Sequence, residues 1–253
     1  AEGADYFSSF DSNGFTVDTS SSDVNADGQN YVGWNWKANG QGSSNTDGTI
    51  NTTYTSANTT SGVSLVQFTG TGANATVGHG LGVAPSVIIT KPISTEGTWR
   101  VYNEALGNTQ YLTLNTTAAQ GTGSTMWNGS PTSSVFTLGS SGDTNGSGVT
   151  FIAYCFAEKK GFSQMGKYTG NGNANGTFVY TGFKPAWVLI KNTTATEAWF
   201  LYDNKRGYNG AMNALFPDEV AAEGAAADNI DLLSNGFKLR TAGAILNSAT
   251  TFS

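Results

Sequence analysis

The sequence predicts an all-β protein made of tandem antiparallel β-sandwich units of about 100 residues each. The first ground is composition. Of 253 residues, 33 are Gly, 12% are aromatic and only 12% are charged, while Thr, Ser and Asn abound. Runs of Thr, Tyr, Val and Phe cut every few residues by Gly or Asn read as many short strands, and the aromatic content excludes a disordered tract. The second ground is an internal repeat. "VQFTGTGANA" at 66–75 aligns with "GKYTGNGNAN" at 166–175, and at the same offset Pro85 meets Pro185, Lys91 meets Lys191, Trp99 meets Trp199 and Tyr102 meets Tyr202. The third is a motif written three times: "NGFTV" at 13–17, "SVFTL" at 134–138 and "NGFKL" at 235–239. A turn bearing Asn25, Asn145 or Asn247 follows each copy.

These signals divide the chain. Residues 1–38 read as the C-terminal part of an upstream unit, closed by the aromatic strand "NYVGWNWKA" at 30–38. Residues 39–60, nearly all Gly, Ser, Thr and Asn, read as a flexible or loosely extended linker, which packing on a neighbour in an oligomeric fibre could order. Residues 61–160 make a complete sandwich closed by "TFIAYCFAE" at 150–158. Residues 161–253 make a second one lacking its last strand, since the sequence stops at Phe252–Ser253 where its counterpart begins that strand. The pattern implies a native polypeptide that continues before Ala1 and after Ser253; an intact mass near 26.3 kDa would refute it. Units in tandem are expected to give an extended rod. Small helical turns are expected at "AEG" 1–3, "AQG" 119–121 and "AEG" 222–224.

"DVNADGQN" at 23–30 has the opening of a calcium loop of the D-x-[DN]-x-[DN]-G type. Its counterparts argue against a metal. Asp23 and Asp27 become Asp143 and Ser147 in "DTNGSGVT" at 143–150, then Ile245 and Ala249 in "ILNSATTF" at 245–252, so only the central Asn persists in all three. The twelfth position, where a bidentate carboxylate belongs, is Trp34. Asn, Gly and Asp also suit tight turns, so a hairpin turn is the reading and no metal ligands are assigned.

The aromatics sort by the same comparison. Val32, Trp34 and Trp36 share a strand face, as do Ile152, Tyr154 and Phe156, and such a recurring face reads as core. Trp99, Trp199, Tyr102 and Tyr202 read the same way. Trp127, Trp187 and Tyr208 have no aromatic partner in the other copy, which makes them the candidates for contact with a sugar ring or another chain, against a plainer reading of local packing.

No catalytic residues are assigned. His79, the single histidine, sits between glycines with no G-x-S-x-G nucleophile motif in the chain. Its partner by count is Val179. Cys155, the single cysteine, rules out an internal disulfide and reads as a structural thiol. Asp218, Glu219 and Glu223 read as charge near the start of a short helix. A glycosidase pair could still be assembled from distant positions. "GTGANATVGHGLG" at 70–82 lacks the G-K-[ST] ending of a phosphate loop, so no cofactor is implied. Eight N-x-[ST] sequons run from Asn51 to Asn192 and matter only in a glycosylating host. A net charge of −6 with scattered basic residues argues against nucleic acid, and no apolar run is long enough for a membrane helix.

The ordered words "NYVGWNWKA", "KYTGNG", "GHGLGVAP", "AYCFAE" and "LSNGFKLR" resemble a repeat family of virion proteins in tailed phages of marine bacteria and cyanobacteria. The resemblance covers most of the chain. It implies a structural protein of a tail fibre or other particle appendage, located on the virion and contributing to host-surface recognition. The partners it implies are other virion proteins, copies of the chain itself (a homotrimer among the arrangements) and a host surface glycan. It supplies no catalytic residues. The alternative classes are a secreted or cell-surface adhesin or carbohydrate-binding module and, behind it, a glycan-degrading enzyme.

Overall fold

The structure is a computed structural model, and it describes residues 6–17 and 22–253. The chain opens with the hairpin β1 (Phe7–Asp11) and β2 (Gly14–Val17) and one helical turn, α1 (Ser22–Asn25). The middle stretch carries β3 (Tyr54–Asn58), β4 (Val63–Thr69), β5 (Ala75–Gly78), β6 (Val87–Pro92), β7 (Arg100–Asn103), β8 (Gln110–Thr113), β9 (Gly121–Thr122), β10 (Val135–Leu138), α2 (Gly142–Asn145) and β11 (Thr150–Phe156). The last stretch carries β12 (Tyr168–Thr169), β13 (Phe178–Tyr180), β14 (Trp187–Lys191), β15 (Trp199–Asp203), β16 (Gly207–Tyr208) and β17 (Ala211–Ala214). It ends with β18 (Gly224–Ala227), β19 (Ile230–Leu233), β20 (Gly236–Leu239), α3 (Ala244–Asn247) and β21 (Thr251–Phe252).

The fold is all-β, with several antiparallel sheets. The largest has the order β3-β4-β11-β6-β7-β8-β9, with β11 between β4 and β6. Period-two alternation points Phe151, Ala153 and Cys155 inward, each fully buried. The separate pair β5–β10 closes the same core from the other side with Val77, Phe136 and Leu138. There Phe68 stacks on Phe151 at 5.4 Å and meets Phe136 edge-on at 6.0 Å. A second cluster gathers Ile190, Tyr202, Ile230, Leu239 and Phe252 from the last stretch.

The last stretch repeats the pairing of the middle one. Ile152 stands opposite Lys91 and Phe151 opposite Pro92. One repeat later, Phe252 bridges Asn192, and Ser253 and Lys191 exchange both backbone hydrogen bonds at 2.8 and 2.9 Å. β21 therefore enters the position that β11 fills, with two residues instead of seven. β12 is shortened to match, two residues where β4 has seven.

Several expectations are corrected. The segment 39–60 is not a flexible linker. Ser43 and Thr55 exchange backbone hydrogen bonds at 3.2 and 2.7 Å, Ile50 is buried and bridges Val77, and β3 pairs with β4 from Tyr54↔Gln67 to Asn58↔Val63. Its glycines serve close approach. A Cβ on Gly42 would run into the Thr55 carbonyl, and one on Gly48 into the Thr76 carbonyl. The segment 30–38 is not a strand, because among the described residues no ladder partner lies beside it. It runs instead over other elements: Lys37 O accepts from Asn58 Nδ2 at 3.0 Å and Ser61 Oγ at 3.2 Å. Val32 and Trp36 are exposed, not core. Ile152, Tyr154 and Phe156 form the half-buried outer face of β11, where Tyr154 stacks on Trp99 at 6.0 Å.

The helical turns also fall elsewhere. Residues 121–122 and 224–227 are strands, and 1–3 lie outside the described residues. Helical turns stand instead at the three asparagines, where hairpin turns were expected, so "DVNADGQN" contains α1. Asp218, Glu219 and Glu223 lie in a non-helical segment that leads into β18, not at the start of a short helix. Counting by 100 also slips locally. Phe136 pairs with Val77, and its counterpart Phe237 pairs with Val179. In register, Phe178 therefore replaces Thr76, Tyr180 replaces Gly78 and Thr181 replaces His79. A slip of two leaves the inward and outward faces unchanged.

The two stretches pack on each other through Val101 and Leu112 of the middle one and Trp199 of the last. Trp199 Nε1 donates to Thr113 O at 3.0 Å, Lys191 Nζ to Thr117 O at 3.0 Å, and Gln120 N to Thr193 O at 2.8 Å.

Candidate functional site

The asparagine kept in every copy has a structural task in two of them. Asn145 is fully buried, donates through Nδ2 to Ala73 O at 2.6 Å and Gly139 O at 2.9 Å, and accepts from Thr71 N at 2.8 Å. Asn247, equally buried, donates to Asn173 O at 2.8 Å and Thr241 O at 2.7 Å and accepts from Asn171 N at 3.1 Å. Each ties its helical turn to the Gly-rich loop some 70 residues upstream. An amide side chain suits this because it donates and accepts at once. Asn25, in the first copy, is exposed.

His79, Cys155, Lys191 and Asp203 are built into the frame. His79 is fully buried; its Nδ1 accepts from Leu81 N at 3.2 Å, and its Nε2 lies 3.1 Å from Thr132 O. That pattern fits the neutral ring with its proton on Nε2. Burial lowers its pKa, against smaller upward pulls from the Thr132 carbonyl and Asp47. Cys155 is fully buried and burial pushes its thiol pKa far up. Lys191 is fully buried by side-chain area and donates to the carbonyls of Thr117 and Glu197; burial lowers its pKa despite Asp218 and Glu197. Asp203 holds Arg206 at 2.8 Å and receives Trp34 Nε1 at 3.2 Å, and Arg206 reaches Glu223 at 2.7 Å. Burial alone would raise the Asp203 carboxyl, but bonds from Arg206, Lys205 N and Trp34 outweigh it and hold the pKa below the usual value.

The three aromatic candidates are not brought together. Trp127 is 1% exposed and meets Tyr102 edge-on at 5.7 Å. It is core, offers no face to a ligand, and is withdrawn as a candidate. Trp187 is half-buried and abuts Trp36 at 5.6 Å, while Trp36 touches Phe156 at 6.1 Å. Tyr208, on the two-residue β16, is 74% exposed. Two residues were missed: Phe178, 41% exposed, and Tyr180, 69% exposed, two apart on β13. Their signal was present in the sequence: by a count of 100 they face Gly78 and Gly80, so neither has an aromatic partner, and the alternation "FVY" puts both on one strand face.

A surface depression of about 300 Å³ lies where the two stretches meet, lined by Ala105, Gln110, Lys167, Thr193 and Thr251 among others. Among the described residues no group of three or more His, Cys, Asp or Glu could hold a metal ion, and no helix is long and apolar enough to cross a membrane.

The class defined by this geometry is an all-β protein in which the buried Asn145, Asn247, His79 and Lys191 bind the chain's own backbone. The chain belongs to a family described as a domain of unknown function, DUF7483, whose model matches residues 1–252. No curated protein and no solved structure matches it.

Proposed function

We propose that the chain is a structural protein of a phage virion, part of a tail fibre or other particle appendage, and contributes to recognition of the host surface. In this reading residues 61–160 and 161–253 are β-sandwich units of about 100 residues built around the two cores, with Ile50 of the preceding segment completing the first. The observation that carries the reading is the employment of the buried polar side chains. Asn145, Asn247, His79 and Lys191 each bind main-chain groups of another segment, the economy of a rigid scaffold. The motif resemblance supports the particle location. The partners are then other virion proteins, further copies of the chain, with a homotrimer as one arrangement, and a glycan of the host surface.

The test is immunogold electron microscopy of purified particles with antibody raised against residues 61–253. Label at tail or fibre tips supports host recognition. Label over the capsid replaces the appendage with a decoration role. Absence of label from every particle discards the virion reading in favour of a surface adhesin.

A further inference from the structure

We propose that Phe178 and Tyr180 form a stacking platform for the sugar rings of a surface polysaccharide; this rests on the recognition role above and places it on one strand. The middle stretch shows why the platform is specific to the last one. There, the positions in register with Phe178 and Tyr180 are Thr76 and Gly78, and the chain's own residues 45–50 cover both. Thr49 N donates to Thr76 Oγ1 at 2.9 Å, Ile50 N donates to Thr76 O at 3.0 Å, and a Cβ on Gly78 would overlap the Asn45 side chain. In the last stretch a phenyl and a phenol ring stand in those places, and both are exposed.

The rings lie over glycine. A Cβ on Gly236 would meet Phe178 Cζ at 3.0 Å, and one on Gly182 would meet the Tyr180 hydroxyl at 3.5 Å. Side chains two apart on a strand share a face about 7 Å apart, a separation that adjoining rings of an oligosaccharide can bridge. The C–H face of a pyranose packs on the electron-rich face of an aromatic ring, while its hydroxyls need polar groups at the margin. Those are present. Lys238 stands opposite Phe178 on β20, its Nζ donating to Gly176 O at 2.9 Å, and Asp231, opposite Lys238 on β19, pairs with Arg240 at 3.3 Å. Lys238 and Arg240 are balanced by the neighbouring carboxylates of Asp228 and Asp231, so the margin carries no net charge and the platform suits a neutral or weakly charged saccharide better than an acidic one.

The test uses the full chain on a printed set of purified bacterial capsular and lipopolysaccharide O-chain polysaccharides. At least one should be bound, with affinity reduced about tenfold in Phe178→Ala and in Tyr180→Ala and unchanged in Phe162→Ala. All three positions are exposed, and circular dichroism confirms that each variant folds. No polysaccharide bound, or equal binding by both platform variants, overturns the proposal. The particle reading fails separately. Platform-dependent binding by a protein that labels no particle sinks the virion location alone, whereas a particle-labelling protein indifferent to both substitutions sinks the platform alone.

Discussion

Replacing Asn145 by Ala tests the logic of the repeat most directly. The substitution removes three hydrogen bonds: to Ala73 O, to Gly139 O and from Thr71 N. Each is worth about 1 kcal/mol net, and a buried polar group left without a partner costs about 1–3 kcal/mol more. Thr71 and Ala73 are exposed residues whose backbone can turn to water, but Gly139 is buried, so the surcharge applies chiefly to its carbonyl. The sum is a loss of about 4 kcal/mol, a shift of about 1–2 M in urea midpoint for a slope in the upper part of the common range. Asn247→Ala should lose a similar amount, whereas Asn25→Ala, at an exposed position, should stay within about 0.5 kcal/mol. Asn145→Asp is isosteric but sets an acceptor against two carbonyls, so it should be at least as damaging as Ala at neutral pH. Urea titrations followed by tryptophan fluorescence decide the matter. If Asn145→Ala costs no more than Asn25→Ala, the buried amide is not what the repeat preserves.

Further outcomes are expected. Because His79 is held neutral with a lowered pKa, the unfolded chain binds the extra proton first. Stability should therefore be full above about pH 6.5 and fall as pH drops toward the folded pKa, and His79→Gln should flatten that part of a pH–stability curve. Asp203 has the opposite origin and a lower window: its contribution is present above the usual carboxyl range and disappears as acid protonates it below that range. Cys155 should resist maleimide in the native protein and react only after denaturation, as mass spectrometry would show. Gly78→Val should collide with Asn45 and lift residues 45–50 off β5, costing about 1–3 kcal/mol and opening that segment to limited proteolysis. Trp199→Ala removes both a buried ring and the bond to Thr113 O, and should cost about 3–5 kcal/mol in thermal or urea unfolding.

The all-β class was legible because strand-forming residues and breakers alternate on a short scale, and the repeat was legible because Pro85, Lys91, Trp99 and Tyr102 recur in register. What sequence could not separate was flexibility from close approach. Gly42 and Gly48 look like linker glycines, yet each stands where two backbones touch, and only the fold reveals the neighbour. The outward aromatics of β11 misled for a related reason. Tyr154 and Phe156 are large and apolar, but the core needs the smaller Ala153 and Cys155, since Phe68 and Phe136 already fill the space between the layers. Trp127 shows that an aromatic without a counterpart can still be packing. Phe178 and Tyr180 were legible by the same criterion, since they face Gly78 and Gly80 by count and Thr76 and Gly78 in register, but only the fold shows that they are exposed where Trp127 is not.

The placement of Trp36 carries a consequence for how the stretches stay together. Its ring meets Phe156 of β11 at 6.1 Å and Trp187 of β14 at 5.6 Å, so one side chain of the first stretch rests on both of the later ones. Two residues earlier Trp34 donates to Asp203 of β15, and one residue later Lys37 O accepts from Asn58 and Ser61. Residues 34–37 thus act as a strap across the seam between the middle and last stretches, and whatever loosens the strap loosens both.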